Sequence, residues 1–242
     1  DLIRKRRDRH PDLPGGYHWG CYLPGSDIYM LAGTRLLNAD LLSAEGLTRA
    51  EMASRRQIRA LLDLIREEIP AAKVTLVALP AAIGIRETRH IEALHRLTGE
   101  ELLRGEAFPD AIANGTYPVD IHSDTDESIT FLRLDGTRQT FRGNRLTESS
   151  RWCPEGAEHA RFYRIPLRSL IPGGARNLIV AGRMLDADQE AFGAVRVMVN
   201  LNQTGEAAGV AAWQALSGGR AMTRIDPAET RRLLARGGSI VK

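Results

Sequence analysis

The feature that most constrains this chain is a predicted helix near its C-terminus with one face made of small residues. The helix begins somewhere between Met198 and Thr204 and runs to Leu216. Four small residues fall at positions i, i+3, i+4 and i+7 of this segment: Gly205, Ala208, Gly209 and Ala212. A face without bulky side chains lets the backbone lie very close to a neighbour. That neighbour is either a β-sheet, in ordinary core packing, or a flat cofactor.

The composition is that of an ordinary water-soluble protein with one or two domains. Hydrophobic residues make up 43% of the 242 positions and charged residues 26%. Apolar runs such as residues 178–182 and 207–213 are far shorter than the ~20 residues that cross a bilayer, so no membrane partner is expected. The arginine-rich start is not followed by the apolar core of a signal peptide, and the cytoplasm is therefore the expected location.

Charge and cysteine content argue against several kinds of partner. The formal charge is only +3, because 33 Lys and Arg residues nearly match 30 Asp and Glu residues. The basic residues are scattered, so nucleic-acid binding is not expected. Cys21 and Cys153 are isolated and imply neither a disulfide nor a zinc site. His90 and His95 are five apart, which puts them on different sides of a helix or strand and again predicts no metal site.

Three further segments carry helix signals. The first has a capping box at Thr48–Glu51 and apolar residues at helical spacing until Pro70. A second capping box, Thr98–Glu101, opens a short helix that ends at Gly105. The segment 226–229 supplies an N-cap aspartate and a proline at the first helical position, which predicts a last short helix.

Short apolar segments predict β-strands. They are Val74–Leu79, Ile129–Leu134, Thr137–Phe141, Phe162–Leu167 and Asn177–Gly182. The dipeptide Asp135-Gly136 favours a hairpin with a two-residue turn. Residues 89–97 fit a strand or a helix equally, and residues 11–33 mix Gly, Pro and aromatics without periodicity, which is typical of loops.

Four stretches, in order, resemble the bacterial FAD-dependent oxidoreductases, a family of two-domain flavoproteins. They are Leu47–Ile69, Gly84–Arg89, Phe108–His122 and Tyr163–Ala212, and the likeness covers roughly residues 34–236. The resemblance implies an α/β protein in which residues 1–160 are mainly a mixed α+β substrate domain. Residues 161–242 would be the C-terminal part of a Rossmann-like FAD-binding domain, with FAD as cofactor.

One element of that family is not found in these 242 residues. A GxGxxG turn, which opens the helix that holds the pyrophosphate, occurs nowhere in the sequence. We therefore expect a fragment whose partner is a missing N-terminal segment of the same protein, and whose isolated form is inactive and exposes a sheet edge that favours homo-oligomers. The alternative is a non-catalytic binding module, or remnant, on a flavoprotein scaffold.

The resemblance also implies the cofactor-binding residues. They are Gly182, Arg183, Arg196, Val197, Met198, Gln203, Thr204 and Gly205. Arg183 would lie near the ribityl or pyrophosphate portion, at the carboxyl end of a strand that finishes at Gly182. The N–H groups at the start of the small-faced helix would face the pyrimidine edge of the flavin, with Thr204 and Gly205 as the expected contacts.

Two residues are predicted to be catalytic in the hydride transfer between a small organic substrate and flavin. Arg196 occupies the place where related flavoproteins carry a substrate-facing arginine, and the alternative is a structural arginine paired with a buried carboxylate or with the flavin phosphates. His122 lies two residues after Asp120, so both point to one face of a strand and suit proton transfer, unless the histidine is purely structural. Tyr117 and Tyr163 are possible hydrogen-bond donors there.

The acid Glu87 is flanked by Arg86 and Arg89. This arrangement either fixes a loop through ion pairs or faces the flavin.

Overall fold

The computed structural model describes residues 2–15, 18–123 and 125–242, so residues 16 and 17 of the predicted loop-rich stretch lie outside the described residues. The chain combines α-helices with β-sheets, which confirms the predicted α/β class. It divides into two compact units. The smaller unit holds the chain up to Thr88 with His122–Ser128 and Phe141–Leu146, and the larger holds Arg89–Ile121, Ile129–Thr140 and Thr147–Lys242.

The smaller unit begins with two short elements and is dominated by one long helix. Helix α1 spans Leu2–Arg6, strands β1 (Trp19–Tyr22) and β2 (Tyr29–Ala32) form an antiparallel hairpin, and helix α2 spans Ala44–Glu68. The hairpin lies inside the stretch for which the sequence predicted only loops. Its strands are too short, and its exposed aromatic residues too irregular, to produce an alternating pattern.

Helix α2 starts four residues before the predicted capping box. Ser43 is the N-cap, and its side chain accepts a hydrogen bond from the backbone N–H of Gly46. Thr48 therefore lies inside the helix, where its hydroxyl donates to the carbonyl of Ala44. The predicted end is confirmed, since the helix stops just before Pro70.

The larger unit holds two sheets and four helices. The helices are α3 (Gly99–Arg104), α4 (Gln189–Val195), α5 (Met198–Ser217) and α6 (Pro227–Arg236). Strand β3 spans Ala111–Gly115. A four-stranded meander follows, with sheet order β4-β5-β6-β7: β4 (Val119–His122), β5 (Ser128–Leu132), β6 (Thr137–Arg142) and β7 (Arg145–Arg151). The tips of this meander, residues 122–128 and 141–146, are counted with the smaller unit. Strand β8 (Tyr163–Pro166) pairs antiparallel with β3.

Several local predictions are confirmed in this unit. The Thr98–Glu101 capping box forms both of its reciprocal hydrogen bonds, and α3 ends at Gly105 with φ +68°. Helix α6 starts after the N-cap Asp226, whose side chain accepts from the N–H of Ala228. The hairpin between β5 and β6 also exists. Its turn is longer than the predicted two residues, because Arg133 and Thr137 close it and only Gly136 has a positive φ.

The core of the larger unit surrounds β3, β8 and α5. Helix α5 packs against β3 and α6, and its inner side buries Ala207, Ala211 and Ala215. Small side chains on this inner face let the helix approach the sheet, which is one of the two roles the sequence left open. Of the predicted small face, Ala208 is buried and Ala212 packs against this core, whereas Gly205 and Gly209 are exposed.

Two predicted strands are not strands in the described residues. Residues 74–79 and 177–182 are irregular, and Leu178 is 47% exposed instead of fully buried. A strand is completed by hydrogen bonds to a neighbour, and the described chain offers no adjacent strand to either segment. Residues 89–97, which fitted helix or strand, are neither and make only isolated bridges at Ala93 and Leu97.

The two compact units do not follow the predicted boundary at residue 160, because β3 and β8 pair across it within the larger unit. The assignment of residues 1–160 and 161–242 to two family domains stays a prediction. Among the described residues, no helix is long and apolar enough to cross a membrane.

Candidate functional site

The junction between α4 and α5 brings together most of the residues predicted to bind cofactor. Helix α4 ends at Arg196, its C-cap, and Val197 is the N-cap of α5 with no capping side chain. The backbone N–H groups of Met198 and Val199 make no hydrogen bond among the described residues. Both side chains are well exposed, at 74% and 64%. The positive end of α5 is therefore open at this point.

Arg196 is held against a buried carboxylate. Its guanidinium donates to the backbone carbonyl of Asp120 at 2.8 Å and lies 3.3 Å from the carboxylate of the same residue. Both side chains are less than one-tenth exposed. Gly193 makes this approach possible, because a Cβ there would lie only 2.8–3.2 Å from the backbone of Asp120. The geometry favours the structural alternative for Arg196, while its substrate-facing role stays a prediction.

A buried polar cluster supports the same junction from within. The amide of Asn200 donates to the hydroxyl of Tyr163 at 2.8 Å and to the carbonyl of Ala194 at 3.1 Å. The Tyr163 hydroxyl also lies 3.3 Å from that carbonyl, and both side chains are fully buried. Burial raises the pKa of Tyr163 to about 12, partly offset by the Asn200 hydrogen bond, so the phenol stays neutral as a structural group.

The predicted contacts on α5 differ in what they offer to a ligand. The side chain of Gln203 is engaged twice with the backbone of Asn114, at 3.0 and 2.9 Å, and Thr204 is fully buried with its hydroxyl on the carbonyl of Leu201. Gly205 is exposed, and nothing lies within 4 Å of the Cβ that a larger residue would add. Gly205, and not the Thr204 side chain, presents an open surface.

Gly182 and Arg183 lie on an irregular segment of the larger unit. Gly182 has φ +91°, a conformation that residues with a Cβ rarely adopt, and Arg183 next to it is exposed. The structure therefore gives a physical reason for glycine at 182, although the strand predicted to end there is not formed.

His122 belongs to the smaller unit. It lines a cavity of about 190 Å³ together with Gly15, Arg35, Leu37, Ser123, Glu127 and Ser128. The guanidinium of Arg86 contacts its Nε2 atom at 3.1 Å. Because an arginine only donates, Nε2 is the acceptor and a neutral ring carries its proton on Nδ1. Asp120, two residues earlier on β4, belongs to the larger unit, where the hydroxyl of Tyr117 donates to its carboxylate at 3.1 Å.

Comparison with protein families identifies the chain. The model of the FAD-dependent oxidoreductases matches residues 14–234, and the chain belongs to this family. FAD is accordingly the cofactor of the family, and the general activity is that of an oxidoreductase. No curated protein and no solved structure matches the chain.

The residues around the start of α5 fit one part of FAD. Two backbone donors without partners stand at the positive end of a 20-residue helix, and the exposed faces of Gly205 and Gly209 leave room beside it for a flat group. This donor set suits the edge of a flavin ring that carries negative charge when reduced. A glycine-rich cradle for the pyrophosphate is not among the sequence motifs of the chain.

Sequence reasoning missed the residues that shape both places. Gly193 and Asn200 act through close approach and burial, which depend on segments distant in the chain. Arg35 carries no local signal, since most residues that line the cavity with it are distant in the chain: Gly15, His122, Ser123, Glu127 and Ser128.

Proposed function

We propose that this chain supplies the flavin-ring side of an FAD-dependent oxidoreductase that transfers a hydride between a small organic substrate and the flavin. The observation that carries the proposal is the open start of α5, with its uncapped donors and exposed glycine face, in a chain that belongs to the FAD-dependent family. When bound, FAD supplies the redox chemistry. A segment with a GxGxxG turn, outside the 242 residues, would hold the pyrophosphate.

Within this proposal the backbone of residues 197–199 orients the ring and stabilises negative charge on it. The uncapped N–H groups supply fixed donors, and the helix dipole adds a positive potential at the same point. Gly205 contributes by having no side chain. Gly182, with its positive φ, and the exposed Arg183 remain candidates for the ribityl or pyrophosphate portion.

Arg196 acts in this proposal as a positioning residue. Its double contact to Asp120 ties the end of α4, and hence the start of α5, to strand β4. His122 is the candidate proton carrier. With Nε2 accepting from Arg86, a neutral imidazole would donate a hydrogen bond from Nδ1, and it would take up and pass on a proton only when Nε2 is released from Arg86. The expected location is the cytoplasm, which agrees with the two free cysteines.

The substitution Gly205→Leu tests the cofactor site in the native, full-length gene product. Leucine is a better helix former than glycine by about 1 kcal/mol, and open space surrounds the new side chain, so the fold should be kept or stabilised. We expect the flavin absorbance per mole of protein to fall sharply, because the leucine occupies the space beside the ring. Thermal unfolding of the flavin-free protein measures the stability separately.

Glu206→Leu is the matched control. It adds the same side chain one position along α5, about 100° around the helix, and removes only an exposed hydrogen bond from Ser239. Flavin content should then be unchanged. A gene product that is colourless as wild type would instead favour a binding module on a flavoprotein scaffold, and full flavin content in Gly205→Leu would reject α5 as the ring contact.

A further inference from the structure

We infer that Cys153, in the larger unit, is a nucleophilic thiol that hydroperoxides oxidise to a sulfenic acid, with His159 and Arg151 as its positioning partners. Its Sγ atom lies 3.7 Å from Nδ1 of His159, within the range of hydrogen bonds that involve sulfur. The residue is partly exposed, so a molecule as small as a hydroperoxide can approach it. This modification site is independent of the flavin and of the proposed function.

The segment that carries the thiol is anchored to the turn between β5 and β6. The indole N–H of Trp152 donates to the carbonyl of Arg133 at 2.7 Å, and its backbone N–H donates to the carbonyl of Gly136 at 3.0 Å. The ring of His159 contacts the same indole edge-on, with ring centroids 6.4 Å apart. The sulfur and the imidazole therefore meet in a defined arrangement.

Arg151 fixes the tautomer of His159. Its Nη2 atom contacts Nε2 of the imidazole at 3.5 Å. Because a guanidinium only donates, Nε2 is the acceptor and a neutral ring carries its proton on Nδ1. The imidazole thus donates to the sulfur of Cys153, and this donor is placed to stabilise negative charge there.

The guanidinium also lies close to the sulfur itself. A Cβ on Gly136 would lie 2.5 Å from Sγ of Cys153 and 2.5 Å from Nη2 of Arg151, so these two atoms are at most twice that distance apart. Glycine is required at this position, both for the close approach and for its φ of +86°. The acid of the same turn, Asp135, attracts Arg151, but its carboxylate accepts its hydrogen bonds from Thr137.

The other cysteine of the chain serves as an internal reference. Cys21 on β1 is exposed, whereas Cys153 is only partly exposed. Among the described residues, no histidine or arginine forms a hydrogen bond with the sulfur of Cys21. Accessibility alone would make Cys21 the faster thiol, whereas electropositive surroundings favour Cys153. The order of the two rates therefore separates the two effects.

The proposed step is a two-electron oxidation of the sulfur. The sulfur attacks one oxygen of the hydroperoxide, so that an S–O bond forms and the O–O bond breaks. The thiol proton passes to the solvent, and the departing oxygen takes up a proton. Hydrogen peroxide is thereby reduced to water while Cys153 becomes a sulfenic acid.

Dimedone, which traps sulfenic acids, tests the inference in the full-length gene product treated with hydrogen peroxide at neutral pH. Peptide mass spectrometry follows both cysteines in one sample. We expect Cys153 to be labelled about tenfold faster than Cys21 in the folded protein, and the two rates to become similar in urea.

Substitutions of the two partners test their roles. His159→Phe keeps a ring beside Trp152 but removes the donor, so labelling of Cys153 should slow about tenfold while that of Cys21 is unchanged. His159→Gln restores an N–H donor and should recover part of the rate. Arg151→Gln should also slow the labelling, and Arg145→Gln on the same strand β7 is its matched control and should leave the rate unchanged.

Two results would overturn the inference. If Cys21 is labelled as fast as Cys153 in the folded protein, exposure governs both thiols and the surroundings of Cys153 have no effect. If His159→Phe and Arg151→Gln both leave the labelling of Cys153 unchanged, the assigned partners do not act on the sulfur. Should His159→Phe fail to fold, the comparison of Arg151→Gln with Arg145→Gln decides the question.

Discussion

The two compact units of this chain are stabilised by different kinds of contact. The larger unit encloses a continuous apolar core around β3, β8 and α5, with many side chains fully buried. Among the described residues, the buried apolar cluster of the smaller unit comprises Leu13, Ala60, Leu61 and Leu64, with Ile3 packed against it. Its remaining contacts include many polar ones, such as Arg6 with Glu68.

This difference separates two kinds of candidate site. In the larger unit, the start of α5 is positioned by buried groups that tolerate little movement. In the smaller unit, the cavity that His122 lines is formed by loops, and the ion pair between Arg7 and Glu127 beside it is exposed and contributes little to stability. Ligand-binding loops commonly belong to the less stable parts of a protein. The contrast predicts that substitutions of the buried groups behind the start of α5 mainly change stability, whereas substitutions in the loops of the smaller unit cost less stability.

The largest effect is expected from Arg196→Ala in the larger unit. Removing the guanidinium leaves the carboxylate of Asp120 buried without its cation, which typically costs about 3–5 kcal/mol. Urea unfolding of the variant measures this loss. The double variant Arg196→Met with Asp120→Asn should recover part of it, because no buried charge then remains.

Arg168→Ala is the control for that measurement. Arg168 also pairs with a buried carboxylate, Asp110, but it is 44% exposed, and its backbone N–H keeps a hydrogen bond to the same oxygen. We expect a clearly smaller loss than for Arg196→Ala. If Arg196→Ala keeps full stability but loses substrate affinity in the flavoprotein, the arginine faces the substrate and the structural interpretation is wrong.

Local signals explain which parts of the fold the sequence predicted. The capping box at Thr98 and the N-cap at Asp226 act within one turn, so both helices were found with correct starts. The start of α2 was misplaced because Ser43 offers an equally good cap five residues before Thr48. Segment 177–182 has strand composition, but strand formation depends on a neighbour that a local pattern does not reveal.

The candidate sites were predictable to a lesser degree, for the same reason. The spacing of Gly205 with Ala208 and Gly209 predicted a small face on one helix, and the family resemblance implied Gly205 as a cofactor contact. The cavity that Arg35 lines could not be predicted, since its other lining residues include a loop about 90 residues away. Charge spacing showed Arg86 near Glu87 but gave no sign of its contact with His122.

The next largest predicted effect is self-association through residues 75–79, an apolar segment of the smaller unit. The backbone groups of residues 75–79 make no hydrogen bond among the described residues, and the segment has no charge and contains Val77, which is 68% exposed. An antiparallel second copy would satisfy these groups without like-charge contacts. We expect concentration-dependent dimers in sedimentation velocity, and Val77→Lys should shift them toward monomer.

Leu216→Lys controls for general hydrophobic association. Leu216 is 84% exposed at the end of α5, in the larger unit, and its replacement should leave the dimer intact if pairing occurs through residues 75–79. A monomer at all concentrations, or equal effects of both lysines, would contradict strand pairing.

The smallest effect is a difference in pH sensitivity between the two units. Four acids of the smaller unit have pKa values below their ordinary ones, and the largest cause for each carboxylate is a hydrogen bond that it accepts from one side chain. The donors are Ser43 to Asp40, Arg55 to Glu51, Arg6 to Glu68 and Ser128 to Asp126. A lowered pKa stabilises the fold above the ordinary values of 3.8 and 4.5, and this contribution is lost as the pH falls through the folded value.

Asp135 and Glu229 of the larger unit also have lowered pKa values, through hydrogen bonds from Thr137 and Arg232, so this unit shares part of the acid dependence. Tyr163 adds an opposite dependence that the smaller unit lacks among the described residues. Its pKa is raised from 10.0 to about 12, so its contribution is complete below pH 10 and is lost as the pH rises toward 12. Hydrogen exchange followed by peptide should therefore show α2 opening as the pH falls below about 4.5, while thermal unfolding above pH 10 should report the larger unit. Tyr163→Phe should remove the alkaline dependence and leave the acid one. Acid opening that begins at β3 and β8 would mean that the polar contacts of the smaller unit are not its weak point.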